Sequence, residues 1–267
     1  MSEHRRAGTA LITGASSGIG AVYADRLAAR GYDLVLVARD EARLGALAAK
    51  LRQRDGVAVK VVKADLLSEA GIGAVEAELA TKIDLFVNNA GMARVSALAE
   101  MSPQEITDIV QLNVLAAARL AAAAARAFGP RGHGQIVNIA SVVALVTERF
   151  NPVYNASKAF LLNLSQGMGR ELAPLGVHVQ AVLPGSTRTE IWARSGMDIA
   201  MLPPEMVMEV DDLVDAALLG LNRGESVTIP GLPDAAQFEA YEQARKAMGP
   251  NLSKSQPASR YRARAAT

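Results

Sequence analysis

An α/β fold built on a doubly wound parallel sheet is predicted by three features of the sequence. Short apolar runs alternate with longer helical patterns through most of the chain. Several runs, Leu34 to Val37 among them, are apolar throughout, as strands covered on both faces tend to be. A glycine-rich turn separates the first run from the first helical pattern. Repeated strand–helix units imply right-handed crossovers and a sheet with helices on both sides. The expected architecture is therefore of the Rossmann type, and 267 residues suit a single domain over 1–267.

The first strand is expected over 9–12, followed by the glycine turn and a helix to about Arg30, where Gly31 supplies the C′ residue. A second strand covers 34–37 and a helix about 41–54. The stretch 57–62 reads as a third strand because Val57, Val59 and Val61 alternate with smaller or charged residues. Further strands fall at 85–88, 135–139, 177–183 and 227–229, with helices around 70–80, 104–128, 153–173 and 212–222. Beyond them, 232–267 is a C-terminal extension in which Phe238, Tyr241, Ala244 and Met248 recur at helical spacing. Lys254, Arg260, Arg262 and Arg264 near Pro257 fit a solvated terminus better than a nucleic-acid arm.

Composition excludes several classes of function. Twenty-eight basic and 27 acidic residues give a formal net charge of +1, so no overall field favours nucleic acid or an anionic membrane. The absence of cysteine removes disulfides, thiolate metal sites and cysteine nucleophiles. His4, His133 and His178 lie too far apart for metal-ligand spacing, so no metal is expected. No stretch reaches the roughly 18 uncharged apolar residues of a membrane span. Arg5 and Arg6 before an apolar stretch mimic a leader peptide, but Gly14, Gly18 and Gly20 interrupt it. A cytoplasmic protein with no membrane or nucleic-acid partner is expected.

The turn Thr13-Gly14-Ala15-Ser16-Ser17-Gly18-Ile19-Gly20 lies between the first strand and first helix. There Gly14 permits a tight turn, Gly18 lets backbone approach a pyrophosphate, and Gly20 lets helix and strand pack closely. Helix N–H groups and the helix dipole then face the phosphates. Past the second strand, an acid about 20 residues beyond the glycines marks an NAD site. Here the strand ends in Ala38-Arg39, which offers a cation to a 2′-phosphate instead. Asp40 is the competing acid, though it is better placed as the N-cap of the next helix.

This TGxxxGxG turn resembles that of the short-chain dehydrogenase/reductase family, whose other marks follow in order over roughly residues 8 to 230. They are Asp65-Leu66, Asn88-Asn89-Ala90-Gly91, Asn113, Ser141, Tyr154-Asn155-Ala156-Ser157-Lys158 and Pro184-Gly185-Ser186-Thr187-Arg188-Thr189. Thr187 stands where the family usually has Val or Ile. The resemblance implies an oxidoreductase that interconverts a carbonyl and a secondary alcohol with NADP(H), NAD(H) being the other option. It implies cofactor contacts from Gly14, Ser16, Ser17, Gly18, Ile19, Gly20, Arg39, Asp65, Leu66, Asn89, Ala90, Gly91, Tyr154, Lys158, Pro184, Gly185, Thr187 and Thr189. It also implies that Ser141 holds the substrate oxygen, that Asn113 completes a proton relay, and that the chain forms a homotetramer or homodimer.

Tyr154 and Lys158 are four residues apart and share one helix face. Of the five tyrosines only Tyr154 has lysine at that offset. An ammonium about 4 Å from the phenolate is worth on the order of 4 kcal/mol at an effective dielectric of 20. The expectation is that Lys158 lowers the Tyr154 pKa toward neutrality. A segment over about 188–210 holds Trp192, Met197, Met201, Met206 and Met208 among glycine and prolines, as a substrate lid would. Trp192 is expected to touch a bulky, hydrophobic substrate. Two other readings compete: a 3-oxoacyl carrier-protein reductase, with Arg126, Arg131, Arg188 and Arg194 as a docking patch, and a non-catalytic cofactor-binding module.

Overall fold

The computed structural model describes residues 7–148 and 150–262; His4, Arg5, Arg6 and Arg264 lie outside them. Seven strands form one wholly parallel sheet in the order β3-β2-β1-β4-β5-β6-β7. They are β1 (Gly8–Thr13), β2 (Tyr32–Ala38), β3 (Val59–Lys63), β4 (Leu85–Asn88), β5 (Gly134–Ile139), β6 (Val177–Val182) and β7 (Val227–Thr228). The order reverses between β1 and β4, and the crevice at their carboxyl ends is where such sheets bind ligands.

Helices α1 (Gly18–Ala29), α2 (Glu41–Asp55) and α8 (Val210–Asn222) cover one face. Their Leu27, Leu44, Leu51 and Leu218 pack on Ile12, Leu36 and Val87 of the sheet. On the other face lie α3 (Glu69–Leu79), α5 (Ala117–Phe128) and α6 (Pro152–Leu172). Their Ile72, Leu79, Leu120, Phe128 and Met168 meet Leu11, Phe86 and Ile136. Central strands contact apolar groups on both faces, which explains their unbroken apolar runs. Gly31, at φ +82°, follows α1 in the C′ position, and Asp40 caps α2 by accepting from the Arg43 N–H at 3.0 Å.

The helix expected over 104–128 is not α-helical throughout. It divides into α4 (Pro103–Val110), a π-helical turn at Gln111–Ala116, and α5. Taken together Pro103–Arg131 is long and apolar enough to cross a membrane by length and composition alone. The expectation counted uncharged runs, which Asp108, Arg119 and Arg126 interrupt. In the fold, Ile109, Leu120, Ala121, Ala124 and Phe128 of this stretch are buried.

The chain divides into two compact units, one ending at Gly231 and one over Leu232–Thr267. The second contains α9 (Ala235–Met248), capped by Asp234, which accepts from the Ala236 N–H at 2.9 Å. Phe238 and Tyr241 stack on α9 with centroids 5.9 Å apart.

Candidate active site

A cavity of about 920 Å³ opens at the carboxyl ends of the strands. Every site residue named from the sequence lines it except Gly20 and Asn113. Gly20 packs behind the turn: a Cβ there would come 2.4 Å from the Gly14 carbonyl oxygen. Gly14 itself takes φ +66°, a conformation that strains any residue with a Cβ. The N-cap of α1, Ser17, is extended and its side chain makes no capping bond, and the first turn carries no acid. The helix N–H groups and dipole thus face the cavity without an internal anion, as a dinucleotide pyrophosphate requires.

The Thr13 hydroxyl anchors this end of the sheet. It donates to the Val87 carbonyl and accepts from the Asn89 and Ala90 N–H groups, each at 3.0 Å. Asn89 Nδ2 in turn donates to the Thr13 carbonyl at 2.8 Å. Arg39 is exposed at the end of β2 and lines the cavity, with no ion pair among the described residues. Asp65 accepts from the Leu67 N–H at 3.1 Å. Its backbone packs against Gly71, where a Cβ would meet the Asp65 carbonyl at 2.0 Å.

Asn113 sits in the π-helical turn, 2 % exposed. Its Oδ1 accepts from the Met92 N–H at 2.9 Å, and Nδ2 donates to the Met92 carbonyl at 2.8 Å and to Ser157 Oγ at 3.1 Å. Ser157 Oγ donates to the Tyr154 carbonyl at 2.7 Å. Asn113 therefore ties the loop after β4 to α6. The extra residue of a π-turn occurs frequently at functional sites. Gly91 closes the gap: a Cβ on it would stand 3.3 Å from Asn113 Oδ1 and 3.5 Å from Lys158 Nζ.

Helix α6 starts at a firm cap. Asn151 is buried and accepts from the Val153 and Tyr154 N–H groups, with Pro152 at N1. The Asn-Pro pair is a legible start signal that the sequence reading passed over. Tyr154 consequently sits in the first turn, with Lys158 one turn on. The Ser141 hydroxyl lies beside that of Tyr154 and favours its ionised form. Ser141 also donates to the Pro184 carbonyl at 3.3 Å, joining β5 to the loop after β6.

The expected lowering of the Tyr154 pKa is not found. Burial pushes it up to about 12, against a smaller opposing effect of the Ser141 hydroxyl. Lys158 Nζ donates to the Ile139 carbonyl at 2.9 Å and lies 5.7 Å from the Tyr154 ring centroid. Burial lowers its own pKa to about 8. Desolvation, expected to offset only part of the lysine's effect, outweighs it, and the lysine is itself buried and bonded to the Ile139 carbonyl.

The segment after β6 begins at Thr187 and returns at Met208. The Met208 N–H donates to the Ser186 carbonyl at 2.9 Å, and the Arg188 N–H donates to the Met208 carbonyl at 3.0 Å. Inside it, α7 (Ile191–Ser195) turns Ile191 and Trp192 toward the cavity. None of Met197, Met201, Met206 and Met208 lines it, and Met201 is 77 % exposed; in place of the expected methionines the segment supplies Thr189, Glu190, Ile191, Trp192, Arg194 and Ser195. Glu190 pairs across the cleft with Arg43 of α2, accepting from Nη1 at 2.9 Å, and also with Arg194.

A parallel sheet with a glycine turn at its switch point, and a serine, tyrosine and lysine gathered beside it, defines a dinucleotide-dependent oxidoreductase. The short chain dehydrogenase family model matches residues 8–199. The chain belongs to the short-chain dehydrogenase/reductase family, and it is an enzyme of that family. It is 52 % identical to a short-chain dehydrogenase from Sphingobium yanoikuyae solved in complex with NADPH. That alignment covers 95 % of this chain and 99 % of the other, at TM-score 0.93. It is 46 % identical to the bulky-bulky ketone specific alcohol dehydrogenase from Comamonas testosteroni, covering 95 % and 98 % at TM-score 0.88. The 3-oxoacyl-acyl-carrier-protein reductase of Escherichia coli is 35 % identical over 182 residues, 68 % of this chain and 74 % of that one.

Proposed function

We propose that the protein is an NADP(H)-dependent oxidoreductase that interconverts bulky, hydrophobic ketones and secondary alcohols. The observation that carries this is the meeting of the Tyr154 and Ser141 hydroxyls and Lys158 in one cavity with the uncapped start of α1. Gly14, Ser16, Ser17, Gly18 and Ile19 cradle the pyrophosphate, Arg39 takes the 2′-phosphate, and Asp65 and Leu66 flank the adenine. Asn89, Ala90, Gly91, Pro184, Gly185, Thr187 and Thr189 border the nicotinamide half, which supplies the hydride when bound.

Tyr154 keeps its proton at neutral pH because burial disfavours the phenolate, which suits a general acid in ketone reduction. The substrate oxygen lies between the Ser141 and Tyr154 hydroxyls. Lys158 supports the transferred charge and the ribose, while Asn113 holds the Met92 loop and α6 in register for proton return. The 188–210 segment acts as a lid, with Trp192 against the substrate. The likeness to the Comamonas enzyme supports a bulky substrate. At 95 % coverage it extends past Gly231, because the second unit is larger than the uncovered remainder.

The carrier-protein alternative is less well supported. Arg126 and Arg131 precede β5 and sit at the amino edge of the sheet, whereas Arg188 and Arg194 follow β6 at the carboxyl edge. Exposed Val110, Leu115 and Phe160 support a homodimer or homotetramer, and a cysteine-free chain suits the cytoplasm.

The test is Tyr154→Phe, assayed by NADPH absorbance over a panel of ketones, 3-oxoacyl thioesters and alcohols. Turnover should fall about 100-fold or more, with NADPH binding by fluorescence unchanged. Activity within a few-fold of wild type would reject Tyr154 as the proton donor.

A further inference from the structure

Among the described residues Phe150 alone has a positive φ without being glycine, at 63°. That region is disfavoured for any residue carrying a Cβ, and a bulky aromatic has no local hydrogen bond to offset it. The neighbouring chain holds the conformation in place. Asn151, 1 % exposed, donates through Nδ2 to the Ser96 carbonyl at 2.6 Å while Oδ1 caps α6, and Pro152 fixes the next φ. The path into α6 is thereby set, and Phe150 absorbs the change of direction.

Core burial does not explain the strain, since Phe150 is 39 % exposed. Its position instead places the ring on the wall of the cavity that contains Tyr154 and Ser141. The ring centroid is 5.8 Å from that of Trp192, with the planes tilted by 50°. Trp192 is fixed independently, because its Nε1–H donates to the Thr187 carbonyl at 2.7 Å. Two aromatic rings, one from the chain before α6 and one from α7, thus converge on the cavity wall, each held by contacts outside the pair. Backbone strain of this kind concentrates at ligand clamps, where the surroundings over-determine it.

We propose that Phe150 and Trp192 form an aromatic clamp that selects substrates carrying an aryl ring beside the carbonyl. The inference rests on the carbonyl–alcohol reading given above. Tilted rings present one face and one edge, and a third ring can pack edge-to-face or offset against them. A saturated ring of the same size fills the space but lacks the complementary quadrupole. Phe150 is therefore a specificity-determining residue, and its strained backbone is what delivers the ring to the cavity wall.

The experiment compares kcat/KM for a phenyl ketone and its cyclohexyl counterpart, in wild type, Phe150→Leu and Phe150→Ala. Wild type should prefer the aryl ketone by about 2- to 12-fold, the range an aromatic pair contributes beyond area. Both variants should bring the ratio to about 1, through KM for the aryl ketone. Leucine keeps apolar bulk, so its loss of preference isolates the ring. Phe150→Gly and Phe150→Ala both lack the ring but differ in tolerance of positive φ, so the glycine variant should melt about 2–4 °C higher. An unchanged ratio in the leucine and alanine variants, or equal melting of the glycine and alanine variants, would overturn the clamp. A wild type that reduces neither ketone would instead overturn the carbonyl reading beneath it.

Discussion

Lys158→Met should raise stability at neutral pH while removing activity. Lys158 is 6 % exposed, and burial lowers its pKa from 10.5 to about 8. That gap corresponds to about 3 kcal/mol by which the fold disfavours the ammonium at pH 7, at about 1.36 kcal/mol per pKa unit. Methionine keeps the apolar stem and drops the charge, at the loss of the hydrogen bond to the Ile139 carbonyl. A charged donor contributes about 1.5–3 kcal/mol, so the net gain at pH 7 is about 1 kcal/mol. The pH dependence is sharper. Because the folded pKa lies below the unfolded one, the unfavourable contribution is complete below about pH 8 and disappears as pH rises through 10.5. Wild type should therefore gain about 2 kcal/mol on the variant between pH 7 and 9.5. Calorimetric melting at both pH values, without added dinucleotide, would show the Tm difference moving by about 4–8 °C. A difference that stays constant would refute burial as the cause of the lowered pKa. A variant that also retained activity would remove Lys158 from catalysis.

Two further outcomes follow from charges at the rim of the cleft. If Arg39 receives the 2′-phosphate, Arg39→Asp should weaken NADPH binding and favour NADH, as read by fluorescence titration of both; a wild type that binds NADH more tightly would defeat the assignment. Glu190 joins the 188–210 segment to Arg43, and the Arg43 guanidinium beside it holds its carboxyl below the usual range. Glu190→Gln should speed NADPH release in stopped-flow displacement by no more than about five-fold, as befits an exposed pair. The difference should vanish at about 1 M salt. Equal release rates at low salt would show that the pair does not hold the segment closed.

The fold was legible because its signals are local. Strands β2 and β4 are buried on both faces, so their apolar runs need no partner to be recognised. Asp40 and Gly31 act through neighbouring backbone, and both occupy the positions their residue types foretell. The π-turn was not legible, since Val110, Leu112 and Val114 continue an apolar pattern that α- and π-turns share. The strain at Phe150 is only partly local, because Asn151 is held by Ser96, 55 residues away in sequence, as well as by its own cap on α6. Likewise Arg43 and Glu190 are 147 positions apart and meet only once the sheet has formed. The Tyr154 pKa was misjudged for a related reason. Spacing gives the proximity of Lys158, but burial depends on everything packed around both residues.

Asparagines tie together the backbone segments that surround the site. Asn88 Nδ2 donates to the Ala117 carbonyl at 2.9 Å and to Asn138 Oδ1 at 3.0 Å. Asn138 Nδ2 donates to Ser165 Oγ at 2.9 Å, and Ser165 Oγ donates to the Leu161 carbonyl at 2.6 Å. These bonds run from β4 through β5 into α6, the helix that carries Tyr154. Asn89 reaches β1, Asn113 reaches Met92 and Ser157, and Asn151 reaches Ser96. A carboxylate could not replace them, because a buried amide both donates and accepts without a charge to desolvate. An apolar side chain could not either, because the backbone groups it abandoned would be buried without partners. Each asparagine therefore fixes the separation of two backbone segments at the carboxyl edge of the sheet. The elements that carry Ser141 and Tyr154 are joined by these bonds around a cavity of about 920 Å³, so the spacing of the two hydroxyls depends on amide hydrogen bonds as well as on packing.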